Sequence, residues 1–376
     1  MRSVIARLSL GFSLIAVTAV LLLASDWHQR RPAAERIPQV AIVILSSQPV
    51  LQEGLDGALE TLRESGFIDG QNIALRQYNA EGAMATLNAI ARQVTDGQFD
   101  MVMTFSTPAM QAVAKANTKA KAIHVFGLVA DPFAAGVGLR RDAPLDHPRH
   151  FVGFGIPAPV GESFRLARKM FPRLKTVGVA WNPAESNSVG YVGQARKAAQ
   201  ELQIELLEAH VDNSSGVLEA ASSLASRGAE ALWVPGDNTI LSALNSVLSA
   251  GKKARIPVFS ISPGDPGRGS ILDLGANFHE VGKLTGKLAV DIIRGADPAQ
   301  IPVRDFAPQR LVVNQLAVNG LKDPWRIPDD ITASADILVN ETGVHTKAAP
   351  RQAADNKQAP LAKKWKVRIV EYNNGQ

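Results

Sequence analysis

The chain has 376 residues, 46% of them apolar and 20% charged, a length and balance that suit two ordinary globular domains. Against 35 acidic side chains stand 40 basic ones, a net charge of +5 with no central Lys/Arg run, so composition points to no nucleic-acid partner. The absence of cysteine excludes disulfides, thiolate catalysis, Cys-based metal centres and a lipid-bearing cysteine behind a leader.

Arg2 and Arg7 precede an uncharged apolar run from Leu8 to Ala24, the pattern of an export segment. Residues 1–24 therefore read as an export signal or an N-terminal membrane anchor. The run is close to the ~20 residues a spanning helix needs, and Leu22-Leu23-Ala24 matches a cleavage site poorly. In either case the remainder is expected to work outside the cytoplasm, periplasmic and tethered to the inner membrane if the segment is kept. A Pro- and charge-rich linker follows over residues 25–37.

Strand and helix patterns then alternate. Val40–Ser46 reads as a strand, Val50–Ser65 as a helix ending at Gly66, Asn72–Tyr78 as a strand and Ala85–Thr95 as a helix. Asp100–Phe105 is a strand, Ser106-Thr107-Pro108 starts a helix that runs to Asn117, and Ala122–Val129 is a strand ending at Asp131-Pro132. After a loop over Arg140–His150, the rhythm restarts. Val152–Gly155 and Val160–Met170 form one strand–helix pair, and Thr176–Trp181 with a helix from Ser186 to Leu202 forms the next. Ile204–Val211, Gly216–Ser226, Ala231–Val234, Ile240–Ala254 and Pro257–Ile261 continue as strand, helix, strand, helix, strand. Ser270–Gly275, the helix Phe278–Arg294 and a final strand Gln309–Val313 complete the folded part. Thr332–Ala362, rich in Ala, Lys, Gln and Asp, reads as a flexible linker. Beyond it, Lys366-Val-Arg-Ile-Val-Glu-Tyr echoes Gln39-Val-Ala-Ile-Val. It is either the opening strand of a truncated second repeat, or an added edge strand or tail.

Alternating elements imply parallel sheets covered by helices on both faces, and two such halves imply two α/β lobes around a cleft. In such sheets ligands bind outside the carboxyl ends of the strands. The turns there are Ser46-Ser47, Asn79-Ala80-Glu81-Gly82, Ser106-Thr107-Pro108 and Asp131-Pro132 in the first half. In the second they are Asn182–Ser188 and Pro235-Gly236-Asp237-Asn238-Thr239. Each alone is also what a cap or turn requires; six in register suggest a site. Hydroxyls and helix N-termini would take a carboxylate, a carboxylate would take an ammonium, and Phe105, Phe126, Phe154, Trp181 and Tyr191 offer apolar faces. That mixture suits a zwitterionic amino acid. No cofactor or metal motif is present: the seven histidines lack metal-ligand spacing, and there is no nucleophile elbow or phosphate loop. Asp131, Glu185 and Asp237 are not placed in pairs about one bond, so an enzyme is not expected.

Several stretches resemble the tryptophan/tyrosine-type substrate-binding proteins of ABC transporters. They are Gly66-Phe67-Ile68-Asp69-Gly70-Gln71-Asn72, Asn79-Ala80-Glu81-Gly82, Ser106-Thr107-Pro108-Ala109, Asp131-Pro132 with Ala135-Gly136, Trp181–Ser188 and Pro235–Thr239. The likeness runs from about Val40 to Ile331. It departs at Asn277-Phe278, where the family usually shows Asp-Tyr, and at Ser106, where it usually shows Gly. The resemblance implies a type 1 periplasmic-binding fold, two doubly wound parallel sheets joined by a three-segment hinge near Gly155, Gly275 and Asp305. Lobe 1 would comprise residues 38–155 plus 276–305, lobe 2 residues 156–275 plus 306–331, and residues 332–376 a linker-like tail. It also implies a monomer that captures a small molecule, an amino acid above all, for an ABC permease. The ligand-binding residues expected are Ser106, Thr107, Asp131, Glu185, Asn187, Ser188, Asp237 and Asn238, with Asp237 on the ammonium and Thr107 on the carboxylate. The alternatives are a membrane-anchored sensor domain that signals without transport and, further off, an exported α/β enzyme.

Overall fold

The computed structural model describes residues 36–347, together with Thr18. The export segment, most of the following linker and the strand pattern at Lys366 lie outside the described residues. Within them no helix is long and apolar enough to cross a membrane, and no group of three metal-ligating side chains occurs.

The first sheet is built from β1 (Gln39–Ile44), β2 (Ala74–Asn79), β3 (Met101–Phe105), β4 (Ile123–Val129), β5 (Phe151–Gly155) and β11 (Arg304–Asp305). Their order is β11-β5-β4-β3-β1-β2 and every neighbouring pair is parallel. Its helices are α1 (Pro49–Glu64), α2 (Met84–Val94) and α3 (Thr107–Ala116). The second sheet holds β6 (Thr176–Trp181), β7 (Glu205–His210), β8 (Ala231–Val234), β9 (Val258–Ser260), β10 (Leu272–Ala276), β12 (Gln309–Asn314), β13 (Ile337–Asn340) and β14 (Gly343–Thr346). Its order is β14-β13-β12-β10-β9-β8-β6-β7, parallel except for β10–β12 and β13–β14. With it run α4 (Val160–Met170), α5 (Ser186–Glu201), α6 (Val217–Ser226), α7 (Asn238–Ser242), α8 (Leu244–Ala254) and α10 (Asp329–Ser334). The central strands, β1, β3 and β8 among them, are apolar and buried at almost every position because helices cover both faces.

The chain passes between the sheets three times: after β5, between β10 and α9 (Phe278–Ile293), and between β11 and β12. The second pass is the abrupt one. Only Asn277 separates β10 of the second sheet from α9, which packs on α1 of the first. This packing is close because small residues line the seam. A Cβ at Gly282 would lie 1.9 Å from the Gly54 carbonyl oxygen, and one at Gly57 would lie 2.2 Å from that of His279. Beside the seam, Glu60 pairs with Lys283 at 2.7 Å and with His279 at 3.0 Å.

Three sequence expectations are corrected. The helix expected over Ile240–Ala254 is two, α7 and α8, meeting at Ala243, whose φ of −119° leaves the helical range. The break turns Asn238 and Ser242 towards the first lobe. The strand β11 was not expected, being two residues without apolar alternation, held by parallel pairing to β5. The linker-like tail begins later than residue 332, because the second sheet takes in β13 and β14. The apolar Ile337-Leu338-Val339 pairs with β12, and the Asp336 carboxylate accepts the Leu311 N–H at 2.8 Å.

The α1–α9 seam leaves no room for a side chain. Gly282→Ala is expected to lower the unfolding free energy by about 1–3 kcal/mol through overpacking. Gly190→Ala on α5, where a Cβ meets nothing within 4 Å, should instead add about 0.4–1 kcal/mol. Urea unfolding of the two variants checks both signs.

Candidate ligand-binding site

The carboxyl ends of both sheets face one cleft. On the first-lobe side, β3 is followed by Ser106, whose φ of 127° and ψ of 157° fall in a region that is nearly glycine-only. The strain is held by Ser106 Oγ, which accepts the Ala109 N–H at 3.3 Å, and by the Ser106 N–H, which donates to the Gly127 carbonyl at 3.3 Å. Thr107 follows at the start of α3, almost fully buried, with Oγ1 accepting the Ala130 N–H at 3.4 Å. An irregularity between Phe126 and Val129 breaks the β4–β5 register, and Leu128 there has φ 55°. Such a bulge re-aims a side chain; Leu128 becomes part of the cleft wall.

On the second-lobe side, two carboxylates tie the turns after β6 and β8 together. Asp237, fully buried, accepts the Asn182 N–H at 2.7 Å, the Ser188 hydroxyl at 2.5 Å and the Ile240 N–H at 3.0 Å. Glu185 accepts from the Asn238 N–H and side-chain amide at 2.9 and 2.6 Å, and from the Thr239 N–H and hydroxyl at 2.9 and 2.8 Å. Burial and then the neighbouring Glu185 carboxylate push the Asp237 carboxyl up to about 7, against the hydrogen bonds it accepts. Asn187 donates to the Gly236 carbonyl at 2.9 Å, while its side-chain oxygen is buried without a partner.

These contacts place the expected residues unequally. Ser106, Thr107, Asn187 and Asn238 line an inner cavity of about 40 Å³, with Tyr191 and Phe278. Glu185 and Asn238 line an outer chamber of about 560 Å³ at the mouth. The assignment of Asp237 to a ligand ammonium is corrected: its oxygens are enclosed by three donors and it lines neither space. Ser188, also fully buried, is turned to Asp237 and not to the cleft. Asp131 lies nearer the cleft, its charge felt at the Tyr191 hydroxyl of the inner-cavity wall. It caps the Phe133 and Ala134 N–H groups at 3.0 and 3.1 Å, pairs with Arg141 at 3.1 Å, and lines neither space.

At the crossings, Gly155 admits no side chain, since a Cβ would lie 2.2 Å from Asp305 Oδ1; at Gly275 it would lie 2.0 Å from the Ile261 carbonyl oxygen. Asp305 pairs with Arg141.

One cleft residue escaped the sequence reading. Gln48 is buried immediately before α1 and donates across the cleft to the Asn238 carbonyl at 2.8 Å and Ser242 Oγ at 3.1 Å, leaving its own side-chain oxygen without a partner. Its only sequence signal is a polar residue between the Ser46-Ser47 turn and the Pro that opens α1. Phe278, at the start of α9, brings a ring without a hydroxyl to the inner cavity. His124, buried between Thr104 and Phe151, is held neutral by burial, its pKa lowered to about 3, and serves the core.

Two parallel-sheet lobes joined by three crossings, with strand-end turns converging on one cleft, define a type 1 periplasmic-binding-protein fold. The chain belongs to the ABC transporter substrate-binding protein family, whose model matches residues 39–339. The tyrosine-binding protein of Clostridioides difficile (strain R20291) is 26% identical over 294 residues, 78% of this chain and 84% of the relative. The crystal structure of a conserved domain protein from Vibrio cholerae is 27% identical with a TM-score of 0.74, covering 80% of this chain and 99% of that one. The ABC domain in complex with L-Trp from Streptococcus pneumonia, 23% identical, superposes with a TM-score of 0.74 over 81% of this chain and 100% of that one.

Asp237 therefore acts on stability. Asp237→Ala removes the acceptor of two backbone N–H groups and a hydroxyl, an expected loss of about 2–4 kcal/mol in urea unfolding. A raised pKa means the native state holds this proton more tightly than the unfolded chain, so the wild type should gain stability as pH falls from about 8 through 7. The variant should show a shallower slope over the same window.

Proposed function

We propose that this protein captures an amino acid with an aromatic or apolar side chain outside the cytoplasm and presents it to an ABC permease, binding without chemical turnover. The observation that carries the reading is a pair of buried amide oxygens without partners, Gln48 Oε1 and Asn187 Oδ1, which come from opposite lobes to the same inner cavity. Buried acceptors left unpaired cost free energy, and an ammonium between the lobes satisfies both. The carboxylate goes to the Thr107 hydroxyl at the start of α3, and Leu128, Tyr191 and Phe278 receive the side chain. A cavity of about 40 Å³ holds no more than a few waters, so binding opens the lobes about the crossings at Gly155, Gly275 and Asp305 and closes them on the ligand. The tyrosine-binding relative supports an amino acid, and the apolar run Leu8–Ala24 supports export.

L-Tyrosine, L-tryptophan or L-phenylalanine is expected to raise the melting temperature by mass action. In calorimetry, Asn187→Ala and Thr107→Val should each weaken binding about tenfold or more, the loss of roughly 1.4 kcal/mol from one hydrogen bond to a charged group. No shift with any amino acid would overturn the reading.

A further inference from the structure

The inner cavity has two ends. Gln48, Asn238 and Leu241 also border the outer chamber, so they mark the end at the mouth. Asn187 belongs with them, since it donates to the carbonyl of Gly236, two residues before Asn238. The Tyr191 ring lies at that end too: a Cβ at Gly236 would meet it at 2.6 Å. At the opposite end the wall is made by residues beside the crossings, Ile156, Ile261, Ser262, Ala276 and Phe278. Of these, Ser262 alone has a polar side chain.

Ser262 is only 6% exposed. Its hydroxyl keeps open surface in the cavity wall and makes no hydrogen bond among the described residues. The turn that carries it is fixed from behind. The Ser262 N–H donates to Ser260 Oγ at 3.1 Å, and Ser260 Oγ donates at 2.6 Å to the buried Asp273 carboxylate, which also accepts from Ser270 Oγ at 2.5 Å. A hydroxyl supported in this way presents one direction to an incoming group.

A zwitterion held by its ammonium between Gln48 and Asn187 occupies the mouth end, so its side chain points towards the crossings. The ring meets Leu128 and Phe278, and the far edge of the ring meets Ser262. A ring with only hydrogen or a methyl group at that edge leaves the Ser262 hydroxyl dry and unpaired, whereas a ring with a hydroxyl there pairs it. A site with a buried hydroxyl rejects an analogue that cannot pair with it more sharply than an apolar wall does.

We propose that Ser262 is a specificity-determining residue that selects aromatic amino acids with a hydrogen-bonding group at the far edge of the ring, tyrosine above phenylalanine. This rests on the amino-acid reading above and names the feature of the side chain that the site selects.

Calorimetry of the purified full chain with L-tyrosine, L-phenylalanine and 4-methyl-L-phenylalanine tests it, since the methyl compound matches tyrosine in size without its hydrogen bond. Tyrosine is expected to bind about tenfold tighter than the methyl compound. Ser262→Ala should lower tyrosine affinity and bring it to within about threefold of the methyl compound. That ratio, unlike either affinity alone, does not move with the folded fraction of the variant. Equal binding of tyrosine and the methyl compound by the wild type would overturn the distal subsite and keep the amino-acid reading. A tyrosine preference that survives in Ser262→Ala would overturn the assignment to Ser262. Binding of none of the three would overturn the aromatic reading and the subsite together.

Discussion

Two carboxylates, one buried and one half-buried, hold the second lobe's half of the cleft in shape. Asp237 and Glu185 lie in the turns after neighbouring strands, and each reaches into the other's turn to accept its backbone N–H groups. Backbone donors at strand ends and helix starts have to be paired when buried, and here the side chains supply the acceptors. The start of α5, the start of α7 and the position of Asn187 all follow from this mutual bracing. Burial above all, and then the Glu185 carboxylate nearby, push the Asp237 carboxyl up.

The first lobe answers with backbone geometry in place of carboxylates. Ser106 sits in a conformation a glycine would adopt freely, and Leu128 in a left-handed one at a bulge; both border the same cavity. Strained residues persist only where their surroundings over-determine them, and here sheet pairing on one side and a helix start on the other do so. The cleft thus joins two preorganised walls, one braced by side-chain acceptors and one by backbone shape.

Much of this was legible in the residue pattern. The alternation of apolar runs and amphipathic stretches gave two α/β halves, and the polar turns marked the strand ends correctly. What pattern could not give was direction. Asp237, Ser188 and Asp131 belong to the right turns, yet their side chains serve caps and neighbouring turns, because a buried N–H is as strong a claim on an oxygen as a ligand is. The break at Ala243 was hidden because helical spacing continues through it. β11 was hidden because two residues carry no periodicity. The strands β13 and β14 were masked by the polar, Ala-rich composition that follows them. Gln48 left almost no trace, since its role depends on the opposite lobe.

The glycine seam between α1 and α9 has a mechanical consequence. With α9 bonded by shape to the first lobe and joined to β10 of the second through Asn277 alone, relative rotation of the lobes has to be taken up in a few backbone torsions there and at two neighbouring passes. Any rotation of one lobe against the other would thus be concentrated in those few torsions, and the packed seam beside them would travel with the first lobe as a rigid edge.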